Sequence, residues 1–169
     1  MATFVKRGDS WQAKVRRKGY PPISRSFDTK AMAERWARDT ETAMDHRTYV
    51  DHTEAERTTL REALDRYERE VTPKKKGAAQ ERYRIDKWRR DDLALRSLAS
   101  IRGADIATWR DRQLNGGSSP TTVRNDLALI SHLFTIATKE WGLESLSNPV
   151  QKVAIPSPAR ARDRRLQAG

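Results

Sequence analysis

The chain has 169 residues with 34 Lys+Arg against 23 Asp+Glu, and its formal net charge of +11 points to a polyanionic partner, nucleic acid ahead of anionic membrane. No apolar run approaches the roughly 18 residues that a spanning helix needs and no signal-peptide core follows Met1, so a soluble cytoplasmic protein is expected. The lack of cysteine excludes disulfides and thiolate metal sites, and His46, His52 and His132 are too scattered to ligate together; neither a metal nor another cofactor is expected.

The first fifty residues read as a small sheet followed by a helix. In "SWQAKVRR" Trp11, Ala13 and Val15 alternate with Gln12, Lys14 and Arg16, the period of a strand with one buried face. "KGYPP" supplies turn chemistry, "ISRSF" is a further strand and "TFVKRG" reads as an edge strand. Strict alternation puts Arg25 on the apolar face with Ile23 and Phe27, where it fits poorly: either it sits at the sheet's edge or the strand has another register. Asp28 or Thr29 then caps a helix with Ala33, Trp36, Ala37, Thr40 and Met44 at helical spacing.

"DHTEAERTT" is polar and without apolar periodicity, and reads as a linker. The rest is helical. Leu60, Ala63, Leu64, Tyr67 and Val71 form one stripe, ended by Pro73. After the basic turn "KKKG", Ile85 and Trp88 mark a second helix, and Ile106, Trp109 and Leu114 a third from about Ala104. "NGGSSP" breaks it, and a long helix follows with Ser118 or Ser119 as N-cap and Pro120 at its first position, ending near Trp141 with Gly142 as cap. The expected fold is therefore α+β: a three-stranded antiparallel sheet plus one helix over 1–50, a linker over 51–57, an all-α bundle of four to five helices over 58–150, and a basic extended segment over 151–169.

Three places carry candidate binding residues. The first is the hairpin face of Gln12, Lys14 and Arg16, extended by Arg17, Lys18 and Tyr20. Cations on an exposed strand are ordinary, but this face has almost no counter-anion, and a narrow sheet fits the DNA major groove, about 12 Å wide. The second is the start of the long helix. Ser119 there is in any case a cap, while Thr121, Thr122, Arg124 and Asn125 add side chains able to reach phosphate or base edges beside oriented N–H groups. The third is Lys74, Lys75 and Lys76 with Gln80 and Arg84, a lysine run that is a solvated turn on the plain reading and a backbone clamp on the functional one. The tryptophans lie on apolar stripes and read as core. No glycine-rich phosphate loop, Gly-x-Ser-x-Gly elbow, or serine or cysteine beside a histidine base is present, so no catalytic site is assembled from these residues.

Both modules, in this order, resemble the amino-terminal half of a phage-type tyrosine recombinase, or site-specific integrase. The stretch "GDSWQAKVRRKGYPPISRSFDTKAMAERWARDTE" is similar to the arm-type, AP2-like DNA-binding domain. "KGAAQERYRI", "ADIATWRDRQL", "SPTTVRNDLALISHLFTIATKEWGL" and "NPV" are similar to the SAM-like core-binding domain. The resemblance implies double-stranded DNA as partner, at accessory and core recombination sites, together with other protomers on that DNA. The Gln12/Lys14/Arg16 face would then lie in the groove of an accessory site, the helix from Pro120 in the major groove beside the cleavage site, and Lys74–Gln80 on backbone.

Family members cut with a tyrosine in a carboxy-terminal domain. Here no histidine begins a His-x-x-Arg motif, and Tyr20, Tyr49, Tyr67 and Tyr83 all lie in the DNA-binding modules. The chain is expected to join in recombination only when coupled to a catalytic domain past Gly169. Two other readings stay open on the residues alone: an RNA-binding protein, and a helical adaptor whose charge serves acidic proteins.

Overall fold

The computed structural model describes residues 1–157 and divides the chain into two compact units, Met1–Val50 and a second from Asp51 onward. The first is a three-stranded antiparallel sheet in the order β1 (Ala2–Arg7), β2 (Ser10–Val15), β3 (Ile23–Phe27), covered on one face by α1 (Lys30–Asp45). Gly8, at φ +57°, opens the two-residue turn between β1 and β2, a backbone region that favours glycine. Ala13, Val15 and Ile23 face the helix and are buried with Ala33, Ala37, Thr40 and Met44, so alanines on both sides let the helix lie close to the sheet. Thr29 caps α1 by accepting from the Met32 N–H at 3.3 Å.

Two details sharpen the sequence reading of this unit. Ala13 pairs with Arg25, which confirms that Arg25 shares the apolar face; it is tolerated because β3 is an edge strand, where its guanidinium stays exposed 6.0 Å from the centre of the Phe27 ring. Trp11, read as core, is only half-buried, with the Lys30 ammonium 5.7 Å from its ring centre.

The second unit begins with a correction. The segment 51–57, read as a linker, contains the short helix α2 (Thr53–Arg57), with Ala55 buried in the unit's core and the Asp51 carboxylate accepting from the Thr53 N–H at 2.8 Å. One buried alanine in one turn leaves no periodicity to read. Next comes α3 (Leu60–Glu70), opened by a capping box in which the Thr59 hydroxyl accepts from the Glu62 N–H and the Glu62 carboxylate from the Thr59 N–H. It stops before Pro73, and Thr72–Lys74 form a 3-10 turn.

Helices α4 (Ala78–Arg89), α5 (Gly103–Asn115) and α6 (Pro120–Glu140) complete the bundle. Trp88 and Trp109 stack at its centre, ring centroids 3.9 Å apart and planes within 17°, and are at most 2% exposed, which makes them core and not base-stacking platforms. α6 starts with Ser119 as cap and Pro120 inside the first turn, as its sequence signals predict. At its other end Gly142, φ +76°, turns the chain so that the Leu143 N–H donates to the Ala137 carbonyl. A 3-10 turn, Pro149–Lys152, then returns to α5 and α6. The arrangement is α+β, a three-stranded sheet followed by helices. Most of the basic extended segment expected over 151–169 lies outside the described residues. No helix among the described residues is long and apolar enough to cross a membrane.

Candidate nucleic-acid interface

In the first unit the strand register sets out the face opposite α1. Thr3 pairs with Lys14 and Lys14 with Ser24; Val5 pairs with Gln12 and Gln12 with Ser26. This face carries no carboxylate among those six positions, and Lys14 has hydroxyls on both sides. Arg16 and Lys18 lie exposed just past the end of β2. Two of the residues picked from sequence have structural partners instead: Arg17 pairs with Asp45, and the Tyr20 hydroxyl donates to the Met44 carbonyl at 3.2 Å while its ring meets Tyr49 edge-on at 5.9 Å. Thr3, Val5, Ser24 and Ser26 belong to the same face and were not singled out, because cross-strand pairing is not readable from one strand.

In the second unit the first turns of α6 and one side of α4 come together. Gln80, Tyr83, Arg84 and Lys87 share a side of α4 by their spacing. The Lys87 ammonium lies 2.7 Å and the Arg84 guanidinium 3.6 Å from the carboxylate of Asp126, itself 1% exposed on α6. The indole N–H of Trp88 donates to the Asp126 carbonyl at 3.2 Å, so α4 is tied to α6 by backbone and side chain at once. On α6, Thr121, Thr122, Arg124 and Asn125 are exposed, and Ser119 is spent on its cap, its hydroxyl accepting from the Thr122 N–H at 3.1 Å. The two helices that carry these candidates thus meet at Asp126. Tyr83, on the same side of α4 as Gln80 and Lys87 by its spacing, is 71% exposed.

The lysine run divides. Lys74 and Lys76 are exposed, and Gln80 with them, whereas Lys75 folds inward. Its ammonium donates to the Tyr67 hydroxyl at 2.6 Å and to Glu81 at 2.7 Å, and the other oxygen of Glu81 accepts from the Thr72 hydroxyl at 2.8 Å. The Tyr67 hydroxyl also shares a hydrogen bond of 2.5 Å with Nδ1 of His132, in which the imidazole tautomer sets which group donates. Burial and the nearby Lys75 charge both push the His132 pKa below its ordinary value. Burial works against the Lys75 charge, but its bonds to Glu81 and Tyr67 outweigh that and hold its pKa above the usual lysine value. Lys75 therefore fastens the α3–α4 turn to α3 and α4, with Tyr67 carrying the link on to His132 of α6, and Lys74 and Lys76 are the cations left facing solvent.

Over 167 residues, 98% of its length, the chain is 36% identical to a protein of Haemophilus influenzae named putative integrase/recombinase, of which it covers 43%. The chain is a relative of the integrases and recombinases. It is also 44% identical over 114 residues to the shufflon-specific DNA recombinase of Escherichia coli, a match of 63% of this chain and 29% of that protein. A second putative integrase/recombinase of Haemophilus influenzae is 28% identical over 109 residues, 64% of this chain and 35% of the relative. This integrase relative spans less than half the length of each of these proteins. No protein-family model and no solved structure matches it. The tyrosine-recombinase resemblance carried by the Trp-x-Ala-x-Val strand and the Ser-Pro-x-Thr-Val helix start accordingly extends through both units.

Proposed function

We propose that this chain binds double-stranded DNA as part of a site-specific tyrosine recombinase, taking part in DNA integration or recombination in the cytoplasm. In this reading the outer sheet face of the first unit lies in the major groove of an accessory site. The exposed start of α6 and the neighbouring side of α4 in the second lie beside the exchange site. The observation that carries it is the sheet face itself: a lysine and a glutamine set among hydroxyls, bare of carboxylate, on a sheet narrow enough for the groove. The relationship to recombinases across nearly the whole chain supports the same reading.

Gln12 and Lys14 would then face the groove floor and wall, with Arg16 and Lys18 on phosphate. In the second unit the oriented N–H groups at the start of α6 and the Lys74 and Lys76 ammoniums would hold backbone, while Thr121, Thr122, Arg124 and Asn125 reach base edges. Arg84 would meet phosphate only while sharing its charge with Asp126.

Fluorescence anisotropy against labelled B-form duplex, matched RNA duplex and single-stranded DNA over a salt series tests the proposal. Preference for B-DNA with a log–log salt slope corresponding to roughly five to ten phosphate contacts supports it. Equal or better binding to RNA, or no binding to any of the three, overturns it.

A further inference from the structure

Among the six side chains that the register sets across the outer sheet face, Val5 is the apolar one. It is 51% exposed on an edge strand, while its chain neighbour Phe4 turns to the other face and joins the core. Valine suits a strand, and what sets this one apart is its place on a face whose other five positions are polar. Its cross-strand partner is Gln12, the residue of the face best shaped to read a base. Directly opposed side chains on an antiparallel pair stand about 5 Å apart at Cβ, so the two act on one spot.

Their chemistries converge on one base pair. A glutamine amide matches the N6 and N7 edge of adenine with two hydrogen bonds, and an apolar side chain matches the 5-methyl group of thymine. Both groups are displayed in the major groove by A·T, and neither G nor C offers the methyl. We infer that Val5 and Gln12 form a reading pair for A·T, with Gln12 on adenine and Val5 on the thymine methyl of the same or the adjacent base pair. The row beside it, Thr3, Lys14 and Ser24, supplies hydroxyls and a cation and sets position without selecting a base. The inference rests on the reading that the sheet enters the groove.

The test uses the full chain. A random-sequence duplex library is selected by binding, and the enriched duplex is remade with each thymine in turn replaced by deoxyuridine, which removes only the methyl. The wild-type chain is expected to lose about fourfold in affinity at one thymine, the effect of one buried methyl. Val5→Thr, which keeps the branched shape and places a hydroxyl where a methyl was, is expected to lose that discrimination, and Gln12→Ala the preference for adenine at the same step. Deoxyuridine that is neutral everywhere, or a Val5→Thr chain that discriminates as well as wild type, overturns the inference. The double variant Lys14→Ala, Arg16→Ala separates it from its foundation. If that variant binds the enriched duplex as tightly as wild type, the sheet is not on DNA and both readings fall; if no sequence is enriched, the Val5–Gln12 reading alone falls. If the variant binds more weakly while deoxyuridine is neutral, the Val5–Gln12 reading alone falls.

Discussion

Lys87 on α4 and Asp126 on α6 meet at 2.7 Å around a carboxylate that is 1% exposed, and this pair ties the two helices together. Removing the lysine leaves that buried carboxylate with only the Arg84 guanidinium, 3.6 Å away, which is destabilising. Lys87→Met is expected to lower stability by about 3 kcal/mol, read as a shift of the urea midpoint without a change of slope. Adding Asp126→Leu to Lys87→Met is expected to recover a good part of that loss, since a well-packed apolar pair commonly replaces an ion pair without penalty. A double variant no more stable than Lys87→Met would mean that the contact is more than an ion pair.

Burial of His132, together with the nearby Lys75 charge, makes stability depend on pH. The folded-state pKa of His132 lies below its ordinary value of 6.5, so as pH falls the unfolded chain takes up the proton first. Stability is complete above that ordinary value, is lost progressively as pH falls through it, and levels off below the depressed folded pKa. The loss between pH 7.5 and 5.5, followed by melting temperature, is expected to be smaller in His132→Gln than in wild type. His46 and His52 are common to both proteins and cancel. Parallel pH profiles would show that His132 does not titrate differently on folding.

For the sheet, Lys14→Ala with Arg16→Ala is expected to weaken binding to all duplex sequences alike and to flatten the salt slope by about 0.9 for each phosphate that is no longer neutralised. Unchanged affinity at low salt would take the sheet out of the interface.

On α6, Arg124 is exposed beside Thr121 and Asn125 in the first two turns. Arg124→Ala is expected to reduce the preference between related sites more than it reduces non-specific affinity. Competition titrations with the selected site and an unrelated duplex read the two effects separately. Equal losses on both would make Arg124 a phosphate contact.

Much of this fold is legible because its signals are local. Alternation through Trp11–Val15, the Thr59/Glu62 capping box and Pro120 after Ser119 each act within a few residues, and the structure has the corresponding strand and helix starts. The misfit of Arg25 leaves an edge position or a shifted register open, and the strand order decides for the edge. What stayed hidden depends on distant partners. Asp126 is 39 residues from Lys87 and His132 is 65 from Tyr67, so nothing near either position shows that a carboxylate or an imidazole is committed there. Lys75 looks like its neighbours for another reason: its partners Tyr67 and Glu81 are only eight and six residues away, but which of three adjacent lysines turns inward is set by the path of the turn, and Lys74 and Lys76 face solvent while Lys75 does not. Val5 escaped notice because its meaning comes from Gln12 across the hairpin, and the strand pairing is a property of the folded sheet.

The ion pairs within the second unit change what a charge of +11 means at a polyanion. Lys75, Arg84, Lys87, Arg89, Arg96 and Arg112 each already hold a carboxylate of this chain. Such a cation meets a phosphate only by sharing or giving up an internal partner, and its net gain shrinks accordingly. The electrolyte sensitivity of binding should therefore follow the smaller set of uncommitted cations, such as Lys14, Arg16, Lys18, Lys74, Lys76 and Arg124. The six paired cations act instead as mortar, joining neighbouring elements of the bundle through carboxylates that would otherwise face the same polyanion.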